Sequence, residues 1–405
     1  MRVSKLSSVI LFRAMRKAAL LFLFFYLILF FSCVENAGPA ENLRHFVFND
    51  TTSVIKFTAA EQKIIAGLDS IFVCRVKETC FNGCVLVARK GKILYKKAMG
   101  FAEHEHQRLL DINSSFQLAS ASKPFTATAI LMLMEKGKLN LDDDVKKFIP
   151  QFPYEGVTIK MLLCHRSGLP NYMYFAEKYF TDPDSPVSNA DIVKCMITNV
   201  PDAYFPPGKK FEYCNTNYCL LSYLVERISG QPFPQFMKEN IFDPLGMEHS
   251  WIPDGKNDSA RSERTQGYMG TRWEPAEVNL LDGVNGDKNV FSSVYDLFLF
   301  DRALYSGKLL KKETVEMAYT GYSHEHPGKR NYGFGWRIID EGKGWKIVYH
   351  NGWWHGYNSV FFRRPIDQTL IVILCNHYNR STYHIQDIQE VLDNTNEEIE
   401  MDKEE

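Results

Sequence analysis

Ser120 and Lys123 place a hydroxyl and an amine three residues apart, in the stretch Leu118-Ala119-Ser120-Ala121-Ser122-Lys123-Pro124-Phe125. Residues i and i+3 share a helix face, so the amine can reach the hydroxyl. A serine is a poor nucleophile until a base takes its proton. A lysine serves as that base only where its cation is disfavoured, by burial or by the positive end of a helix dipole. Two further motifs follow in order, Tyr213-Cys214-Asn215 and His350-Asn351-Gly352. A phenol near an amine can pass a proton from the nucleophile to the leaving group. A glycine at the end of an apolar strand lets a ligand lie close against the backbone. The amides of Ser120 and of Trp353, just past that glycine, are candidates for the two donors to a developing oxyanion. The chemistry described is cleavage of an amide or ester through an acyl-enzyme on Ser120, with Lys123 and Tyr213 moving the proton.

A lone serine-x-x-lysine is weak evidence, since at average residue usage about one or two arise by chance in a chain this long. A second does occur, Ser53-Val54-Ile55-Lys56, with no apolar helix behind it. Ser120 differs: Pro124 suits a first helical turn, and Phe125 to Met134 is nearly all apolar before Gly137. A helix apolar on every side belongs in the middle of a fold. Tyr349-His350-Asn351 repeats the tyrosine-x-asparagine pattern, so order and context single out Tyr213.

The elements that must hold these residues read as follows. Ala59 to about Val76 has helical spacing at Ile64, Ile65, Leu68, Ile71 and Phe72. Strands are expected at Cys84–Arg89 and Lys92–Met99, joined by a hairpin at Lys90-Gly91, and again at Trp345–His350, Tyr357–Arg363 and Thr369–Cys375. Pro365-Ile366-Asp367 marks a turn between the last two. Helix signals dominate between, including Asn217–Ile228 stopped by Gly230 and a helix opened by a Ser293/Asp296 capping box. Strands at both ends and helices between give an α+β fold: an antiparallel sheet built from both chain ends, flanking helices and a mostly helical inserted subdomain.

The chain has 405 residues, 45% hydrophobic and 14% aromatic, ample for a large core. With 47 basic against 48 acidic residues the net charge is −1, so no global field recruits nucleic acid. Residues 18–31 are an uncharged apolar run preceded by Arg13, Arg16 and Lys17 and followed by Ser32-Cys33. That order predicts a secretory signal over 1–33, with Met15 as a possible true start and Cys33 as a site for a lipid anchor. The protein is therefore expected outside the cytoplasm, in the cell envelope, in the periplasm or held to the membrane. A linker over 34–56, a catalytic domain over 57–395 and an acidic tail over 396–405 complete the division. Of nine cysteines, eight remain after Cys33. Cys74, Cys80 and Cys84, with His104 and His106, could be read as a zinc cluster, but Cys84 falls in an apolar strand as a buried thiol does, so no metal is expected.

These residues resemble the penicillin-recognising serine enzymes: class C β-lactamases, the D-alanyl-D-alanine carboxypeptidases close to them, and related esterases. Leu162-Leu163-Cys164-His165-Arg166-Ser167-Gly168-Leu169-Pro170 is similar to the family's histidine-x-serine-glycine-leucine-proline segment. Pro207-Gly208, Asp243-Pro244-Leu245-Gly246-Met247 and Tyr332-Gly333-Phe334-Gly335-Trp336 are also shared, so the likeness spans roughly 57–376. It implies a β-lactamase/transpeptidase-like fold and no cofactor. Ser120 would be the acylated nucleophile, Lys123 and Tyr213 its partners. Asn215 would bond the substrate amide, and His350, Asn351, Gly352 and Trp353 would form the substrate-binding strand. His350 stands where β-lactamases usually carry lysine; a neutral imidazole has little charge to grip a β-lactam carboxylate. Trp353-Trp354 replaces small residues and, with Tyr172, Tyr174 and Phe175, suggests an aromatic-lined cleft.

The expected substrate is a D-amino-acid peptide, a small ester or a β-lactam, in that order. The alternative is a penicillin- or peptide-binding sensor of the same fold that acylates without turnover. An α/β-hydrolase is excluded, because no glycine-x-serine-x-glycine elbow occurs.

Overall fold

Seven antiparallel strands from the two chain ends form one sheet. The computed structural model describes residues 56–401 except 183–184, 255–260, 278, 326–327, 341 and 343–344, with the backbone alone for 394–401. The expected signal over 1–33, with Met15 and Cys33, and all of the linker but Lys56 lie outside the described residues. Among the described residues no helix is long and apolar enough to cross a membrane.

Helix α1 (Ala59–Thr79) leads into β1 (Gly83–Arg89) and β2 (Lys92–Met99). Thr58 and Glu61 close a capping box at the start of α1, each side chain taking the other's backbone N–H. The inserted region carries α2 (Lys123–Glu135), α3 (Tyr172–Tyr179), α4 (Asn215–Ser229) and α5 (Val294–Ser306). The chain then returns as β3 (Arg330–Tyr332), β4 (Arg337–Asp340), β5 (Lys346–Trp354), β6 (Tyr357–Arg364) and β7 (Thr369–Cys375), and ends in α6 (Gln386–Met401). Strand order is β2-β1-β7-β6-β5-β4-β3, so β1 pairs directly with β7 and the chain ends meet in the middle of the sheet.

Both faces of the sheet are covered, and strand alternation divides the core accordingly. Val85 and Val87 of β1 join Val360, Phe362, Ile371 and Ile373 under Leu68 and Phe72 of α1 and Ile388 and Leu392 of α6. Cys84 and Leu86 join Phe361, Val372 and Leu374 against Phe125, Ile130, Leu297 and Phe300 on the helical side. Burial on both faces is why these strands read as nearly unbroken apolar runs. Phe125 of α2 stacks on Phe300 of α5, ring centroids 4.0 Å apart. Each such fully buried ring contributes about 1.5–3 kcal/mol, so α2 is anchored at the centre of the molecule.

Several boundaries differ from the sequence reading. His350-Asn351-Gly352 lies inside β5, because pairing with β6 continues to Trp354 opposite Tyr357. Helix α4 begins at Asn215, two residues before the expected start at Asn217. Half of the expected capping box at α5 forms: Ser293 accepts from the Asp296 amide, while the Asp296 carboxylate turns to the His249 N–H and the Ser250 hydroxyl at 2.8 and 2.7 Å. Helix α6 runs through the start of the expected acidic tail. Cys74 and Cys80 are exposed, whereas Cys84 is buried and its thiol donates to the Asp111 carbonyl at 3.3 Å.

Candidate active site

Ser120 lies in a 3₁₀ turn, residues 119–122, that feeds directly into α2. In a 3₁₀ turn side chains at i and i+3 eclipse, which brings Ser120 and Lys123 together more tightly than the expected α-helical spacing. The chain enters through Ala119 at φ +49°, a left-handed conformation costly for a residue with a Cβ. Lys123 has no exposed surface, and its Nζ donates to Ser120 Oγ at 3.0 Å and to the backbone carbonyl of Asp287 at 2.9 Å. No carboxylate stands within ion-pair distance of Lys123 among the described residues. Gly335, at φ +80°, lets the Tyr332–Trp336 loop press on the first turns of α2, where an added Cβ would stand 2.7 Å from the Ala127 methyl and 3.0 Å from the Lys123 carbonyl.

Tyr213 comes to the same place from the segment before α4. Its ring centroid lies 5.0 Å from Lys123 Nζ on one side and 5.1 Å from the Arg337 guanidinium on another. Its hydroxyl is buried without a hydrogen-bond partner among the described residues. Asn215 directs Nδ2 to the Met173 sulfur at 2.9 Å and leaves Oδ1 unpartnered.

Strand β5 supplies the opposite wall. Pairing with β4 stops at Tyr349, so among the described residues the outer edge of β5 has no strand partner from His350 onward. Gly352 lets the strand lie against the nucleophile's turn: a Cβ there would stand 2.1 Å from the Leu118 carbonyl and 2.9 Å from the Ser120 nitrogen. Ser359 on β6 donates to the same carbonyl at 2.6 Å.

The β-lactamase family model matches residues 68–395 of this chain. Penicillin-binding protein 4* of Bacillus subtilis (strain 168) is 36% identical over 330 residues, covering 78% of this chain and 72% of that protein. The chain belongs to the β-lactamase family. In general terms membership makes it a serine hydrolase, with the bond it cuts a finer matter. Two solved structures share the fold: the penicillin binding protein from Bacillus halodurans, with TM-score 0.69 and 23% identity over 84% of this chain and 99% of that one, and the D-amino acid amidase from Ochrobactrum anthropi SV3, with TM-score 0.68 and 21% identity over 84% of this chain and 100% of that one.

Against this family background, the structure brings Ser120, Lys123, Tyr213 and Gly352 around one place and gives several other expected residues partners within the protein. His350 is fully buried. Its Nδ1 lies 2.8 Å from the Asn351 carbonyl and so must carry the proton; its Nε2, 3.0 Å from the Tyr332 hydroxyl, then accepts. No ring nitrogen is left to hold a substrate. Burial, with Arg337 and Lys123 nearby, pushes the imidazole well below its usual range, so it is neutral.

The aromatic cleft is also redrawn. Tyr172 is fully buried. Trp353 is 54% exposed and packs edge-on to Tyr378 at 5.8 Å, so its indole is directed away from Gly352, on the alternate face of β5. Trp354 is the indole on the Gly352 face, with Nε1 donating to Asp282 at 2.8 Å. Phe175 is half-buried beside Tyr179, and Tyr174 is 78% exposed.

Sequence reading missed three groups. Lys288 is buried at 3% exposure, donates to the Tyr172 hydroxyl at 2.5 Å and lies 3.6 Å from the Asp287 carboxylate. The Tyr172 hydroxyl in turn donates to that carboxylate at 2.8 Å. This network holds the segment whose carbonyl receives Lys123. The signal was available as a charged pair, Asp287-Lys288, shortly before the apolar Val290-Phe291. The second group is Arg337, which lies over Tyr213 and has no ion pair or side-chain hydrogen bond among the described residues. The third is His165, which packs on Tyr213 with ring centroids 4.4 Å apart.

Proposed function

We propose that the protein cleaves an amide or ester by acylation of Ser120 and hydrolysis of the acyl-enzyme, and that it is a carboxypeptidase-like member of its family. The observation that carries the reading is the 3.0 Å contact between the Lys123 amine and Ser120 Oγ in the core of the fold. Lys123 in its amine form takes the Ser120 proton as Oγ attacks the carbonyl carbon, and the Asp287 carbonyl fixes the direction of Nζ. Tyr213, whose ring lies against the amine and whose hydroxyl has no hydrogen-bond partner among the described residues, passes the proton to the leaving nitrogen or oxygen. Water then attacks the ester on Ser120 and the proton path runs in reverse. The open edge of β5 past Tyr349 offers the Trp353 amide, and the nucleophile's turn offers that of Ser120, as the two donors to the carbonyl oxygen.

Arg337 favours a substrate ending in a free carboxylate over a simple ester. Among the described residues its guanidinium has no ion pair or side-chain hydrogen bond, and it flanks Tyr213, so it can supply the charge that the neutral His350 lacks. A D-amino-acid peptide has such an end. Export to the cell envelope, with or without a lipid on Cys33, remains part of this proposal and is supported by the basic, apolar and small-residue order of residues 13–33.

The test compares acid-terminated D-peptides with their C-terminal amides and with small neutral esters. The expected result is turnover that prefers the acid, and a KM for acids that rises about tenfold or more in Arg337→Gln while neutral esters are unaffected. A product burst equal to enzyme with no steady state would overturn hydrolysis and favour the non-hydrolytic sensor. Equal handling of acids and amides would remove Arg337 from recognition.

A further inference from the structure

The Leu162–Pro170 motif has no part in the proton path, yet it is the surface on which the Tyr213 segment is built. The amide of Glu212 donates to the His165 carbonyl at 2.9 Å, and that of Gly208 to the Arg166 carbonyl at 2.8 Å. Thr216 closes the far end by donating to the Pro170 carbonyl at 2.6 Å. Between these bonds the His165 side chain reaches into the segment itself. Its Nδ1 accepts the Cys214 amide at 3.2 Å, one residue past Tyr213, and the Asn217 Nδ2 at 3.2 Å. A backbone amide can only donate, so Nδ1 is unprotonated and the proton is on Nε2, which has no polar partner among the described residues.

His165 has no exposed surface and its ring packs 4.4 Å from Tyr213 and 4.7 Å from Tyr332. It holds this place with a left-handed backbone, φ +57°, which few side chains adopt. Backbone strain, an acceptor aimed at one amide and a ring filling the space behind one phenol all converge on the same neighbour.

We infer that His165 is a positioning residue: through Nδ1 and its ring it holds Tyr213 against Lys123 and Ser120. The inference rests on the reading of Tyr213 as the proton-transfer partner. Loss of the acceptor leaves the Cys214 amide buried without a partner, and the segment must shift to find water. Tyr213 then leaves the line between amine and leaving group. An asparagine at 165 tolerates the left-handed backbone and offers Oδ1 near the place of Nδ1, so it should keep the segment in position.

The experiment measures the rate constant of acylation and the dissociation constant of the preceding complex with a peptide amide and an alkyl ester, whose leaving groups need a proton, for wild type, His165→Asn, His165→Phe, His165→Leu and Tyr213→Phe. His165→Phe keeps a ring without an acceptor and serves even where His165→Leu does not fold. Expected are a loss of about tenfold or more in the acylation rate for His165→Phe and His165→Leu with binding unchanged, and near wild-type rates for His165→Asn. In the double variant His165→Phe/Tyr213→Phe the losses should not add, because both act through one phenol; a merely structural role would add. Tyr213→Phe slow and His165→Phe fast would overturn the inference and leave the proton-transfer reading standing. Tyr213→Phe at wild-type rate would overturn that reading itself. His165→Asn as slow as His165→Phe, or additive losses, would also count against the positioning role.

Discussion

Gly352→Ala is the sharpest steric probe of the site. The added methyl carbon would stand 2.1 Å from the Leu118 carbonyl oxygen, 2.6 Å from Ser359 Oγ and 2.9 Å from the Ser120 nitrogen. Ordinary contact begins near 3.4 Å, so strand and turn must separate by about 1 Å. The hydroxyl of Ser359 also loses its 2.6 Å bond to that carbonyl if the turn moves. Overpacking of this kind costs about 1–3 kcal/mol, which a chain with this much core survives. A displacement of about 1 Å at the nucleophile costs about a hundredfold in rate. The assay is stopped-flow acylation with a nitrophenyl ester, beside a thermal melt that establishes folding. A folded Gly352→Ala variant should acylate about a hundredfold more slowly than wild type. Acylation within twofold of wild type would refute the claim that β5 and the Ser120 turn are held in contact at this point.

Two further predictions concern buried charge. Lys288→Met should destabilise the fold by about 3–5 kcal/mol in urea unfolding, because the Asp287 carboxylate would lose its buried cation, and the double variant with Asp287→Asn should recover part of that loss; an unchanged midpoint would contradict the network. Burial, with Lys123 and Arg337 as lesser causes, pushes His165 well down, and burial with Arg337 and Lys123 does the same for His350. The unfolded chain then takes up protons at these two positions first as pH falls below about 6.5, so stability is full above that value and is lost toward the depressed native values, at up to about 1.4 kcal/mol per pH unit for each ring. Urea unfolding at pH 7.5 and 5.5 checks this, and a flat profile would mean that the imidazoles are not buried as described.

The centre of the sheet was legible because β1, β6 and β7 are buried on both faces, whereas the short, partly exposed β3 and β4 at its edge were not expected. Runs such as Val85-Leu86-Val87 and Leu370-Ile371-Val372-Ile373 are apolar at every position and bounded by turns. The nucleophile's helix was legible for a similar reason, with residues 123–131 all buried. What the sequence reading lost was direction. One residue of strand alternation decides whether Trp353 or Trp354 faces the site, and extending β5 past His350 decided it. His350 read as a substrate contact because nothing in the motif shows that Tyr332, eighteen residues earlier, takes its Nε2. Tyr172 read as part of a cleft because its partners, Asp287 and Lys288, are more than a hundred residues away. Arg337 went unnoticed because a single arginine at a strand start usually meets solvent or a carboxylate, and only the folded contact with Tyr213 distinguishes it.

Catalysis by this site requires that a covalent bond form on Ser120. Intact-mass spectrometry after exposure to a fluorophosphonate, with peptide mapping and the Ser120→Ala variant alongside, measures this directly. One adduct per chain on Ser120 and none in the folded variant is the predicted result; an adduct that persists in Ser120→Ala, or that maps to any other residue, would contradict it.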